Sequence, residues 1–491
     1  MQVEIVPVGG YSDFGRNMTC VRIGREAVIL DMGMKLDRIM IHEDAVFDDM
    51  HPLDLQKLGA IPDDSVLKDL GAKVVAIVLG HGHLDHVGAV AKLAGHYGCP
   101  IYATPYTCGL VEDMVTPFGQ RGGRGTGGAR GGRGGGRGAA EAEAHGGPAD
   151  RDRHERGQGR GGRSPKRLIP NRIVPLKAGE TVDLSKEIRL EFVHSTHSIV
   201  QTVFPVLHTR HGAIVYAVDY KFDNTPILGA PPDYRRLRQL ATEGVLACIV
   251  ESTNASKETK TPSEAIARDM LRDYLFGLDN ERVGLVVSTY SSHQARIKSI
   301  CEFAEELGRE VLLMGRSMEK YQTIAQDLGI LKLPANVRVA GYGRAVEAAM
   351  KQAQRDKRRY LLLATGHQGE PGSLLQRMAS NETPWRFEKD DQVIFSADII
   401  PHPLNVANRY ALETKLKMQQ ARIIKGAHVS GHACREDHRE LLAMLEPQHI
   451  FPCHGGVEMQ SEFVEIGERQ GHKLNKTLHI LRNGDRYALH A

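Results

Sequence analysis

The stretch His81-Gly82-His83-Leu84-Asp85-His86 limits what this chain can fold into more than any other. It follows the apolar run Val74-Val75-Ala76-Ile77-Val78-Leu79, which predicts a buried β-strand. Gly80 and Gly82 loosen the backbone at the strand's end, and Gly88 leads into a helix-like Ala89–Ala94. A sheet must therefore deliver three imidazoles and a carboxylate to one strand-to-helix loop. That donor mix suits zinc or a similar divalent ion. Neighbours on a tight loop point in different directions, so the four cannot easily share one tetrahedral ion. They can serve two adjacent ions. The alternative is a polar loop of solvated histidines, which a lone H-x-H would favour and the full H-x-H-x-D-H does not.

At 491 residues the chain has room for two or three domains with large cores. Lys+Arg number 63 against 60 Asp+Glu, a net charge of +3, so only the distribution of charge speaks to partners. The seven cysteines are scattered, and none forms a C-x-x-C pair. That argues against a disulfide framework and for a reducing compartment. Met1–Val6 begins as a strand without a signal-peptide layout, and no apolar run approaches the roughly 20 residues that span a bilayer. A soluble, cytoplasmic protein is expected.

Val3–Val8, Met18–Ile23 and Ala27–Leu30 read as successive strands. Asp31 closes the third, where it either orients a metal ligand or caps a turn. Residues 34–72 read as polar loops with short helices. After the metal loop come a strand-like Pro100–Ala103 and a helix from Pro105. Between Gly119 and Arg163 the composition changes to RGG-type repeats, among them Arg121–Arg124, Arg130–Arg133 and Arg160–Arg163. Such a segment cannot pack a core. Arginine on a glycine chain suits phosphates and unpaired bases, so nucleic-acid contact is favoured over an inert linker. Strand patterns resume at Asn171–Leu176. Ile188–Val193 leads to His194-Ser195-Thr196-His197, and Ala213–Val218 leads to Asp219. A His and an Asp at strand ends downstream are the supplementary ligands that a two-metal site requires.

From Pro226 to Asp391 apolar strands (Val245–Val250, Arg282–Ser288, Glu310–Met314, Arg359–Ala364) alternate with helical patterns. This predicts a doubly wound parallel sheet with polar residues past its C-terminal strand ends. Those positions hold Glu251–Asn254, Thr289–His293 and Thr365–Pro371. The last block contributes a strand at Gln392–Ser396, a helix at about Leu404–Met418, and two histidine-bearing loops. These are His428-Val429-Ser430-Gly431-His432 and Phe451-Pro452-Cys453-His454.

His81 to His86, His197, Asp219 and His454 resemble the ligand series of the metallo-β-lactamase superfamily, whose fold is an αβ/βα sandwich. The insertion after Asp219, with Glu251, His432 and His454, resembles the β-CASP nucleases of that superfamily. Ser252–Ala255, Thr196–Ile199, Gly369–Pro371 and His428–His432 are most similar to the ribonuclease J family. The chain ends at Ala491, short of the extra C-terminal domain usual in bacterial members, which resembles the shorter archaeal form. The expected architecture is a metallo-β-lactamase domain at 1–225 and 392–491, with a β-CASP domain at 226–391 and an Arg/Gly-rich insert at 119–163.

The resemblance implies a zinc held by His81, His83 and His197, a second held by Asp85, His86 and His454, and Asp219 bridging. It implies Asp31 behind the ligands. Asp85, His432 and Glu251 become catalytic, with His432 donating to the scissile phosphate or leaving oxygen. Glu251 either orients His432 or forms a structural salt bridge. A pocket for a 5′-monophosphate falls among Ser291, Ser292, His293, Gly366, Ser373, His428 and Ser430. The implied activity is mainly 5′-to-3′ exonuclease action on single-stranded RNA, or single-stranded DNA, with the capacity to cut internally as well, by a homodimer. Three rivals remain. An endonuclease of the messenger 3′-end-processing type usually starts with RNA-binding domains. A small-molecule hydrolase would lack the insertion. A non-catalytic RNA-binding protein would have lost ligands.

Overall fold

Strand β1 (Val3–Gly9) shows why the N-terminal half forms a sheet covered on both faces. Val3 and Ile5 enter one apolar cluster while Val6 and Val8 enter another. The run before the metal loop repeats the pattern, with Ala76 and Val78 on one side and Ile77 and Leu79 on the other. Two buried faces explain a continuous apolar run in place of alternation. Each fully buried Val, Leu or Ile contributes about 1.5–3 kcal/mol.

The computed structural model describes residues 2–35, 37–38, 50–116, 169–400 and 402–489. The Arg/Gly-rich insert lies outside them. The first sheet runs in spatial order β19 (Tyr487–Leu489), β1, β2 (Met18–Ile23), β3 (Glu26–Leu30), β4 (Lys73–Val78), β5 (Ile101–Ala103), β6 (Ile173–Pro175). The second runs β18 (His449–Cys453), β11 (Val245–Glu251), β10 (Gly212–Ala217), β9 (Val203–Thr209), β8 (Arg189–His194), β7 (Thr181–Asp183). Leu30 and Val78 of the first sheet share a core with Phe192, Ile214 and Phe451 of the second. Helices cover the outer faces: Pro105–Val115 on the first sheet, Tyr234–Glu243, Arg435–Leu445 and Val457–Glu468 on the second. This is a four-layer αβ/βα sandwich.

The third sheet runs β14 (Val337–Ala340), β13 (Glu310–Met314), β15 (Tyr360–Ala364), β12 (Leu285–Ser288), β16 (Gln392–Phe395), β17 (Arg422–Ile424). All its pairings are parallel. Helices pack on both faces, where Leu362 and Leu363 of β15 enter opposite clusters. The doubly wound sheet is present, but its limits differ from 226–391 at both ends. β11 pairs in parallel with β10 and β18, inside the sandwich. β16 and β17 belong to the inserted sheet. Parallel strands alternating with helices look alike in either unit, and only pairing assigns them. The two units meet where Tyr106 and Leu110 pack on Tyr321, Ala325 and Leu331.

Candidate metal centre

The His81–His86 loop is held by the residues that follow β3 and by Asn17, just before β2. Met32 N–H donates to the His86 carbonyl (2.7 Å), Met34 N–H to Leu84 (3.0 Å), and Asn17 N–H to Asp85 (2.9 Å). A Cβ on Gly33 would fall 1.6 Å from the Asp85 carbonyl oxygen, so only glycine permits this contact. His81 and His83 leave β4, His197 follows β8, Asp219 follows β10 and His454 follows β18. Every one therefore stands at the same sandwich edge. Asp31, Asp219 and His454 adopt left-handed backbones, with φ of 59°, 63° and 54°. Such conformations cost about 1–3 kcal/mol each and persist where the surroundings enforce them.

The donor atoms converge in two sets that share Asp219: His81, His83, His197, Asp219, and Asp85, His86, His454, Asp219. His83 Nδ1 lies 3.1 Å from both His81 Nε2 and His197 Nε2. Asp219 Oδ2 lies 3.5 Å from His81, 3.6 Å from His197 and 3.1 Å from His86, while its Oδ1 lies 3.4 Å from His454. Asp85 Oδ2 lies 3.5 Å from His86 Nε2 and 3.8 Å from His454 Nε2. Ligands about 2.1 Å from a tetrahedral ion stand about 3.4 Å apart, so these spacings fit a divalent cation in each set. Asp219 Oδ1 and His454 Nε2 are buried with no hydrogen-bond partner, which also fits a cation. Burial, aided by the neighbouring rings, takes His81 and His197 well below the usual imidazole range. Burial also brings His83 down to about 4. Neutral imidazoles are the form that binds metal.

A second ring of contacts aims these groups. Asp31 accepts from Gly80 N–H (2.9 Å) and from His86 Nδ1 (2.6 Å), leaving His86 Nε2 toward the ion site. It thus both ties the turn and fixes the His86 ring. His197 Nδ1 donates to the Gly431 carbonyl at 2.5 Å, and a Cβ on Gly431 would meet the His197 ring at 2.8 Å. His454 Nδ1 donates to Asn17 Oδ1 (2.7 Å), while Asn17 Nδ2 donates to the Asp85 carbonyl (3.1 Å). Phe14 packs its ring 4.4 Å from that of His454. Sequence reasoning missed Asn17, Phe14 and the Gly431 carbonyl. None belongs to a recognisable spacing pattern.

His432 forms a third convergence with Glu251 and Asp219. Its Nδ1 lies 2.7 Å from Glu251 Oε2 and 3.7 Å from Asp219 Oδ1. Glu251 Oε1 accepts from the N–H groups of Tyr220 (2.9 Å) and Ala433 (3.3 Å), which fixes the carboxylate. Burial opposes a charge on His432, but the Glu251 and Asp219 carboxylates outweigh it and push its pKa up to about 9.

The seven residues expected around a 5′-phosphate have differing surroundings. The Ser292 hydroxyl lies 3.2 Å from His83 Nε2, on the ring edge away from Nδ1. Ser430 accepts from Asn254 Nδ2 and from His432 N–H, both at 3.1 Å. His293 is buried, caps the helix Gln294–Glu306 and lies 3.3 Å from Glu264, and His428 Nδ1 lies 3.4 Å from buried Arg296. Tyr290 bridges the rings of His428 and His367, 5.9 and 4.2 Å away, which brings the Gly366 loop alongside. Ser373 packs on Gly366 and lines a separate cavity. Ser291 gives its carbonyl to Gln322 Nε2.

Fold and donor set together define a metallo-hydrolase of the metallo-β-lactamase superfamily with an inserted β-CASP domain. Family models agree: residues 11–220 match the metallo-beta-lactamase superfamily, 280–411 the ribonuclease J beta-CASP domain, and 419–477 a Zn-dependent metallo-hydrolase RNA specificity domain. The chain belongs to the ribonuclease J family. It is 45% identical to ribonuclease J of Methanocaldococcus jannaschii, over 99% of this chain and 98% of that one. It is 44% identical to ribonuclease J of Pyrococcus abyssi, over 98% and 96%. Against the Synechocystis enzyme identity is 29%, over 98% of this chain and 65% of that one. A crystal structure of an Enterococcus faecalis protein of unknown function shares the fold, with a TM-score of 0.62, 15% identity and full coverage of both chains.

Proposed function

We propose that the protein is a two-zinc ribonuclease that removes nucleotides from the 5′ end of single-stranded RNA and favours 5′-monophosphate ends. The observation that carries this reading is Asp219, shared by two four-residue donor sets beside the Glu251–His432 pair. His81, His83, His197 and Asp219 would hold one ion, and Asp85, His86, His454 and Asp219 the other. The imidazole-rich set favours zinc. Bound there, the ions supply Lewis acidity toward a phosphoryl oxygen and the attacking water.

The chain's own residues supply the rest. Glu251 occupies His432 Nδ1, so Nε2 is left for the scissile phosphate or the departing oxygen. The Glu251 carboxylate on Nδ1 favours the protonated ring, the state a proton donor needs. Asp31 and Asn17 hold His86 and His454 in the ring orientation that presents Nε2. The loops carrying Ser291, Ser292, Gly366, His428 and Ser430 form the side toward which the terminal phosphate extends. The seven cysteines are free and buried, which supports a reducing, cytoplasmic setting. No helix among the described residues is long and apolar enough to cross a membrane. The same reading includes a homodimer, which sedimentation velocity tests.

The deciding experiment digests 5′-labelled RNA bearing a monophosphate, a triphosphate or a hydroxyl. Rapid mononucleotide release from the monophosphate form alone is expected. Discrete internal fragments from all three would replace the exonuclease assignment with an endonuclease.

A further inference from the structure

The helix Pro403–Met418 joins β16 to β17 and covers one face of the inserted sheet. Its inner side is held tightly. Leu412 and Leu416 enter the core of that sheet, and Arg409 donates to Glu413 (3.0 Å) and to the His367 carbonyl (2.7 Å). Its outer side is unusual for a surface helix, because Lys417 is the only charged residue among those exposed on it. Such a side ordinarily carries charged and polar groups. The helix Gly343–Arg355, packed on the same face of the sheet, exposes Arg344, Glu347, Lys351 and Arg355.

Tyr410 at 74% and Met418 at 80% are more exposed than any other large apolar side chain among the described residues, and Val406 stands at 51%. The patch extends to Ile399 and Ile400 in the loop before the helix. That loop is fixed in place. The Gln368 side chain donates to the Asp398 carbonyl (2.8 Å) and accepts from the Ile400 N–H (3.0 Å). A contiguous apolar patch on a rigid support marks an interaction surface.

The patch is complementary to itself. Ala407, Tyr410, Ala411 and Thr414 stand at i, i+3, i+4 and i+7, the four positions that frame a hole for a knob on a facing helix. Two of the four are alanine, which leaves room for an aromatic ring. Tyr410 lies at the midpoint of the helix. A second copy laid antiparallel about a two-fold axis at that midpoint sets each Tyr410 against Ala407 and Ala411 of the partner subunit. The same operation sets each Met418 against Pro403 and Ile400 of the partner subunit, and leaves Lys417 near the rim. One rotation fills both holes at once, as an isologous contact requires. Pairing would cover roughly 600 Å² of each copy, about 1,200 Å² in all, which reaches the size of specific, stable interfaces.

We propose that the outer side of the helix Pro403–Met418, with Ile399 and Ile400, is the surface on which two copies of this chain pair about a two-fold axis. The inference rests on the homodimer reading above and supplies its interface.

Sedimentation velocity of the full chain over a range of concentrations tests it, with Tyr410→Glu and Ala411→Lys as the variants. Both side chains are exposed, so each variant should keep the parental Tm. Each should raise the dissociation constant of the dimer about 30-fold or more, as loss of an interface hot spot does. If the parent dimerises and both folded variants dimerise equally well, the proposal is overturned and the homodimer reading stands. A parent that stays monomeric at every concentration overturns both. In that case a Tm that falls in Tyr410→Glu shows the patch to be covered by the chain itself. Nuclease activity is not read, so each result leaves the metal-centre reading standing.

Discussion

Asn17 joins two parts of the donor cluster that arrive from opposite ends of the chain. Its oxygen holds His454 Nδ1, and its nitrogen holds the Asp85 carbonyl one residue before His86. Asn17→Ala should therefore lower zinc affinity about 10–100-fold, the usual cost of losing a partner behind a metal ligand. Competition against a chromophoric chelator measures this, and parental affinity would remove Asn17 from the positioning scheme. His432→Ala should behave differently. It should keep metal content and RNA binding yet cleave about 10²–10⁴-fold more slowly, as expected for loss of a proton donor. His454→Ala should lose metal and activity together. Metal analysis with single-turnover rates for both variants separates these roles, and zinc loss confined to His432→Ala would reverse them. At this scale the sequence exposes what is contiguous. His81 to His86 announce themselves, because four donors in one short loop have no ordinary structural use. Asn17 and the Gly431 carbonyl stayed hidden, because an amide and a peptide oxygen acquire meaning only when folding places them beside a ring nitrogen.

Elements were legible wherever periodicity was unambiguous. The apolar run before His81 is β4, and the helix expected at about Leu404–Met418 is observed as Pro403–Met418. Sheet membership was not legible. β11 and β16 are both short apolar parallel strands flanked by helices, and their partners lie far away in sequence. Glu191 illustrates how one element is fastened to its neighbours. From β8 it reaches His208 on β9 at 2.6 Å and Arg236 on the following helix at 2.7 Å. Burial opposes its charge, but His208 and Arg236 outweigh that and bring its carboxyl down to about 2 from an ordinary 4.5. A carboxyl depressed in the folded state stabilises the protein above its unfolded value and loses that contribution as pH falls through the folded one. Glu191→Gln should therefore lower Tm at neutral pH, by roughly 2–4 °C for each kcal/mol lost. The gap from the parent should shrink as pH falls from about 4.5 toward 2. Thermal melts across that range check it, and a gap that widens in acid would reverse the sign of the linkage.

At the scale of the whole molecule, the sandwich and the inserted domain are clamped beside the point where the Arg/Gly-rich segment leaves. The helix Pro105–Val115 ends shortly before Gly119. Its Tyr106 hydroxyl donates to the Tyr321 carbonyl (3.1 Å) and accepts from Gln294 Nε2 (2.6 Å) across the domain boundary. On the far side of the segment, β6 pairs in parallel with β5 at the edge of the first sheet. Both anchors are made by residues outside 119–163, and that segment has almost no apolar side chains to add to either core. Replacing Gly119 to Arg163 by a short Gly/Ser link should therefore leave Tm near the parental value. Its arginines should matter for the ligand instead. Each phosphate neutralised on a single strand adds about 0.7 to the slope of log affinity against log salt. Loss of three such contacts would flatten the slope by about 2 and weaken RNA binding most at low salt. The measurement is a salt titration of RNA affinity for the parent and the deletion, both stripped of metal so that no cleavage intervenes. If affinity and slope match while the fold survives, the segment contributes no phosphate contacts and the path of the strand must be sought on the β-CASP loops alone.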